Sequence, residues 1–231
     1  MQQSLNFRTW GGRREGAGRP AGKGRRCAPH RRRARLKSYQ PQHTTLRLAD
    51  DVANLRRWKI FAEIVAAIRA AHRDGFRIVE FSVQHGHLHL ITEASGWKAL
   101  SDGTRALSIR VARAVNRVLK RSGKVIADRY HARSLGTPRE VRNALVYVLQ
   151  NAEKHLAQRG VVVRRDWLDG FSSAGFFRGW ERAARSAAEI VRESWKDSRI
   201  VDDPRAEAKT WLLTTGWKRH GLLRASELPA N

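Results

Sequence analysis

Two strand-like runs, Phe76 to Val83 and His87 to Thr92, are separated by only Gln84-His85-Gly86, and this spacing constrains the chain more than any other feature. A three-residue connection containing glycine favours an antiparallel hairpin. Side chains alternate along a strand, so His87 and His89, with Leu88 between them, project from the same face of the second strand. Two imidazoles placed this way can hold a divalent cation between them.

Around this hairpin the periodicity predicts further elements. His43-Thr44-Thr45-Leu46-Arg47-Leu48 alternates like a first strand. A helical pattern follows from about Asp50 to His72, with Gly75 beyond its end. A second helix is predicted from about Thr104 to Ser122. Leu107, Val111, Ala114, Val115 and Val118 form its packing face, while Arg110, Arg113, Arg117 and Arg121 recur on a neighbouring face. Such a run is either solvated or in contact with phosphate, and its uniform sign admits the second reading. Lys124 to Tyr130 reads as a fourth strand.

Thr137-Pro138-Arg139-Glu140 then carries every mark of a helix start: a threonine cap, proline at the first position and a glutamate reaching back. Val141, Ala144, Leu145, Val148 and Ala152 form the buried stripe of that helix. At about 100° per residue Tyr147 and Asn151 fall on its flank, whereas Gln150 turns the other way, toward solvent. Tyr147 supplies a nucleophilic phenol and Asn151 an amide oxygen one turn later.

Composition sets the partner class. Of 231 residues, 46 are Lys or Arg and 21 Asp or Glu, a formal charge of +25, far beyond the roughly 2 to 8 charges that solubility asks of a small domain. A polyanion, nucleic acid by default, is expected. The length suits one domain with appendages. Residues 1–42 read as a disordered basic arm, 43–158 as the core and 159–231 as a tryptophan-rich helical extension, with helices expected over Arg178 to Trp195 and about Arg205 to Thr215. Gly18-Arg19-Pro20 in the arm resembles the centre of an AT-hook, but its flanking basic symmetry is poor and a plain electrostatic tail explains it better. The single cysteine, Cys27, precludes an intramolecular disulfide and points to a reducing, cytoplasmic compartment. No apolar run approaches the roughly 20 residues of a membrane span, and the N-terminus lacks the apolar core of a secretory signal, so no membrane residence is expected.

In Phe81-Ser82-Val83-Gln84-His85-Gly86-His87-Leu88-His89-Leu90-Ile91 and in Arg129 through His155, the chain resembles the single-tyrosine HUH transposases. These include the short insertion-sequence transposases and the REP-associated tyrosine transposases of bacteria. The resemblance spans about His43 to His155 and implies a ferredoxin-like α+β fold, an antiparallel sheet backed by helices. It also implies cleavage and rejoining of single-stranded DNA beside a folded hairpin, through a phosphotyrosine at a DNA 5′ end. Carried over residue by residue, it makes His87, His89 and Asn151 metal ligands, with Gln150 the rival for the third place, and Tyr147 the nucleophile. Mg²⁺ or Mn²⁺ fits the chemistry, and two imidazoles with an amide also admit Zn²⁺. Arg129, His131, Arg133 and the arginine face of the preceding helix are candidates for guiding the strand. Some family members are homodimers that share the tyrosine helix, so monomer and dimer both stay open. A nucleoid-associated place in the cytoplasm follows from DNA as partner.

Other readings of the same residues remain. Tyr130 is the rival nucleophile, and His85 with His87 and His89 would suit a zinc hydrolase, although the turn at His85-Gly86 breaks the alternation. A transposase core retained as a noncatalytic binder of hairpin DNA or structured RNA is a further class.

Overall fold

The computed structural model describes residues 36–158, 160–197, 200 and 202–229. The basic arm up to residue 35, with Gly18-Arg19-Pro20 and Cys27, lies outside the described residues. The expected hairpin is present: β2 (Phe76–Val83) and β3 (His87–Ala94) pair antiparallel, and the Gln84 N–H closes the turn on the His87 carbonyl at 2.8 Å. On the other side of β3 lies β1 (Gln42–Arg47), and beyond it β4 (His131–Ser134). The order is β2-β3-β1-β4, with every pair antiparallel. Helices α1 (Trp58–Arg69) and α2 (Trp97–Val118) make the crossovers, so the chain order is the βαββαβ of a ferredoxin-like α+β fold.

Alternation sorts the sheet into two faces. Leu46, Leu88, Leu90, Phe81 and Val83, all fully buried, share one face with the apolar stripes of α1 (Phe61, Ile64, Ile68) and α2 (Leu107, Val111). The α2 backbone comes so close to β2 that a Cβ on Gly103 would lie 2.2 Å from the Phe76 ring. Glycine in mid-helix therefore costs helix propensity but permits the packing. On the opposite face lies α3 (Pro138–Gln158). Its start is the reciprocal capping box expected. The Glu140 N–H donates to Thr137 Oγ1 at 3.2 Å, and Glu140 Oε2 accepts from the Thr137 N–H at 3.1 Å.

The C-terminal extension completes the sheet. Left bare, β2 would present an unpaired edge. Instead the Val83 N–H donates to the Phe171 carbonyl at 2.8 Å, the Phe81 N–H to Ser173 Oγ at 2.9 Å, and the Ala206 N–H to the Ile78 carbonyl at 2.9 Å. Trp195, in α4 (Arg185–Asp197), packs its ring 5.1 Å from Phe61 and 6.1 Å from Phe81, and its indole N–H reaches the Gly170 carbonyl. Arg56 forks onto Asp169 at 2.7 and 2.8 Å, and Arg205 pairs with the buried Glu80.

Several boundaries differ from the expected ones. The first helix begins at Trp58 rather than Asp50, because Asn54 accepts the Arg56 N–H in a local turn and Leu55 N–H bonds His85 O. The second begins earlier, at Trp97, and runs through Gly103, whose missing Cβ makes room for the Phe76 ring. Residues 124–130 make a single bridge, Leu48 with Ile126, and the ladder resumes at His131 after the Arg129 N–H bends back to Asp128. The helix expected from Arg178 starts at Arg185. The one expected from Arg205 shrinks to α5 (Trp211–Thr214), because Ala206 spends its N–H on the Ile78 carbonyl and Lys209 and Thr210 spend theirs on the Glu93 carboxylate. Trp180, Trp195 and Trp217 are buried as docking residues should be, but Trp211 is exposed. No helix among the described residues is long and apolar enough to cross a membrane.

Candidate active site

His87 and His89 stand on the α3 side of the sheet with near-parallel rings, 6.0 Å between centroids and 12° between planes. The β1 register places Thr45 opposite His89, Arg47 opposite His87 and His43 opposite Ile91, so these side chains share the histidine face. Across it, α3 lowers Tyr147. The phenol ring lies 5.1 Å from the His89 ring at 90° and 5.3 Å from the His43 ring at 62°. Asn151 follows one turn later, buried, with its amide 3.3 Å from His155 Nε2. A cleft of about 520 Å³ opens beside this group, walled by Arg47, Gln84, His87, Ala152 and His155.

Burial dominates the electrostatics. It lowers His89 to about 3, helped by His43, His87 and His155, and His43 to about 4, helped by His131 and Arg133. His87 is lowered by burial and then by Arg47, His155 and His85. Burial also raises Tyr147 above the ordinary phenol value. The rings are therefore neutral at pH 7, the form that ligates a cation. Thr45 Oγ1 lies 3.2 Å from His89 Nδ1, leaving Nε2 as the nitrogen free to ligate. Among the described residues no group of three or more His, Cys, Asp or Glu side chains is arranged to hold a metal. A cation here would thus rest on two imidazoles, the Asn151 amide oxygen and oxygens from a substrate, and the three-histidine hydrolase set with His85 does not form among those residues.

No family model matches this sequence, and no curated protein does. A solved structure is similar. It is a REP-associated tyrosine transposase bound to a REP hairpin, aligned over 82% of this chain and 97% of its own, at 16% identity and a TM-score of 0.48.

The remaining candidates separate by face. His131 and Arg133 are exposed on β4 opposite Thr45 and His43, on the face of the site, with Arg133 bonded to Glu140 at 3.0 Å. Arg129 is exposed just before β4. Arg110, Arg113 and Arg117 of α2, and Arg121 just past its end, are not brought to the site. Their helix covers the other side of the sheet, where Arg110 and Arg113 are exposed, Arg117 pairs with Glu63 and Arg121 bonds Asp51 at 2.8 Å. Tyr130 turns away as well, its ring 6.3 Å from Trp97 at the start of α2. Gln150 does not face solvent as expected. It is buried and donates its amide to the carbonyls of Arg224 and Ala225, the latter at 3.0 Å. Those bonds tie Gln150 Nε2 to the tail, while Asn151 lies one turn after Tyr147, beside His155. Sequence reasoning missed His43, Thr45, Arg47 and His155. The alternation His43, Thr45, Arg47 was visible, but only the β1–β3 register reveals which partners they meet.

Proposed function

We propose that this chain is a transposase-like DNA endonuclease and strand transferase, which cuts and rejoins single-stranded, hairpin-associated DNA through Tyr147. The observation that carries this reading is the Tyr147 ring 5.1 Å from the His89 ring, on the sheet face that His89 shares with His87. The half-buried phenol faces the neutral His43 and His89 rings, in a chain whose +25 charge suits a polyanion. A tyrosine nucleophile that exchanges one phosphodiester for another needs the phenol, a polarised phosphate and a polyanion partner.

In this mechanism Tyr147 Oη bonds to phosphorus and releases its proton to water. The bond from phosphorus to the 3′ oxygen breaks, and that oxygen takes up a proton to leave as a 3′ hydroxyl. The product is a 5′-phosphotyrosine that conserves the bond energy for resealing. His87, His89 and Asn151 would hold Mg²⁺ or Mn²⁺, which supplies polarisation of the scissile phosphate and stabilises charge on its oxygens. Thr45 orients His89, and His131, Arg133 and Arg129 line the approach of the strand. Tyr147 and the imidazoles meet within one chain, so a homodimer is not required to complete the group. Work on DNA implies a cytoplasmic, nucleoid-associated protein.

Incubation with a single-stranded hairpin oligonucleotide and Mn²⁺, followed by a denaturing gel, tests this reading. A protein–DNA adduct should form, vanish in Tyr147→Phe and weaken sharply in His87→Ala. Tight binding with no adduct in the unaltered protein would overturn the chemistry and leave a noncatalytic DNA binder.

A further inference from the structure

We infer that a groove at the far end of the sheet is a second binding site, a stacking platform for single-stranded DNA built on Tyr39 and Trp211. The inference rests on the DNA reading above but not on the chemistry of Tyr147. The groove, about 370 Å³, is lined by Tyr39, Arg77, Ala94, Ser95, Lys209 and Trp211. β3 runs from His87 at the histidine cluster to Ala94 at this groove, which separates the two by roughly 20 Å of strand.

Both rings are set out in solvent, Tyr39 at 57% and Trp211 at 48% exposure, in a chain that buries Trp180, Trp195 and Trp217 completely or nearly so. Each carries a cation. Lys37 Nζ stands 5.8 Å from the Tyr39 ring and the Arg219 guanidinium 4.8 Å from the Trp211 ring. An exposed aromatic face beside a fixed positive charge accepts a base by stacking and its phosphate by attraction, without regard to sequence.

The platform is held in place rather than loosely attached. Backbone N–H groups of Lys209 and Thr210 donate to the Glu93 carboxylate at 2.9 and 2.7 Å, which pins the chain at the end of β3 where α5 begins. Gly216 leaves room for the indole, since a Cβ there would lie 2.8 Å from the Trp211 ring. Glu93 is consumed by those two donors and by Arg77 at 3.5 Å, so Lys209 is left as the groove's uncompensated charge, with Lys37 and Arg219 beside the two rings. The β4 edge joins the two sites, running from His131 beside Thr45 to Ser134 beside Gln42, three residues from Tyr39, with exposed Arg133 between. A strand held at the histidines can follow that edge to the rings.

Binding of two hairpin oligonucleotides by fluorescence anisotropy decides the matter. One has a single-stranded flank trimmed to the nucleotides beside the cleaved bond, and the other a flank about ten nucleotides longer, within the span a single-strand groove tracks. The longer flank should bind more tightly to the unaltered protein. Tyr39→Ala with Trp211→Ala should weaken long-flank binding by about tenfold to a hundredfold and leave short-flank binding unchanged, while Tyr39→Phe and Trp211→Phe retain the gain. If the double variant does not melt like the parent, Tyr39→Ala alone serves, since that exposed ring precedes β1. Equal affinity for both flanks in the parent protein, or equal losses on both flanks in the alanine variant, would overturn the inference. The covalent adduct on the short-flank hairpin is scored in parallel. An adduct without a flank gain removes the groove and keeps the proposed function, whereas a flank gain without an adduct removes the tyrosine chemistry and keeps the groove.

Discussion

At 7% exposure and with Nδ1 against the Thr45 hydroxyl, His89 is kept neutral and oriented by its surroundings. That environment has a measurable cost in acid. His43 and His89 fall to about 4 and about 3 when folded, below the ordinary 6.5 of an unfolded histidine, so the unfolded chain binds more protons in between. Their contribution is fully present above about 6.5 and is lost as pH falls through about 4 for His43 and about 3 for His89. In a chelator-containing buffer the unfolding free energy from urea titrations should drop across that window, by roughly 2 kcal/mol or more for the pair, and less in His43→Leu. Thr45→Val tests orientation separately from burial. The variant should fold with a stability change of about 1 kcal/mol, yet bind Mn²⁺ about tenfold more weakly in a titration, because His89 loses the partner that sets its tautomer.

Among the elements, α2 shows two opposed effects whose sizes can be compared. Replacing Gly103 with alanine improves helix propensity by about 1 kcal/mol. The added Cβ would, however, stand 2.2 Å from the Phe76 ring, and overpacking a core costs typically about 1–3 kcal/mol. Packing should win, so Gly103→Ala is expected to lower the thermal midpoint, and a rise would show that β2 yields more easily than its buried neighbours suggest. α3 has no such conflict. Its capping box, apolar stripe and flank residues were all legible because each is set by spacing within the helix. The fourth strand was displaced from 124–130 to His131–Ser134 because a side-chain turn at Asp128, invisible to alternation, interrupts pairing.

For the molecule as a whole, the extension is part of the sheet's stability. Glu80, fully buried, is raised by burial to about 7 even though Arg205 and Ser173 pull it down. Arg205→Met removes the partner cation and leaves that carboxyl buried with only the Ser173 hydroxyl, a change expected to cost about 3–5 kcal/mol in chemical denaturation. Replacing Glu80 with methionine in the same chain should restore most of that loss, since an apolar pair of similar volume avoids the desolvation. A double variant as unstable as the single one would mean that the Arg205 bonds to Asp203 and Phe176, rather than its pairing with Glu80, hold the extension.

Local periods were enough to determine the hairpin, the shared face of His87 and His89, the start of α3, and the placing of Tyr147 and Asn151 on its flank. A period of two or of 3.6 residues is written within a few consecutive positions, and those features need nothing more distant. Only the tertiary structure decided that β1 brings His43 and Thr45 against His89, that Gln150 serves the tail, and that the α2 arginines lie behind the sheet. It also turned the tryptophan-rich tail into a seal along β2. Each of these depends on which surfaces, far apart in the chain, bury one another. That choice is settled by the summed packing of the whole core, which no single segment contains.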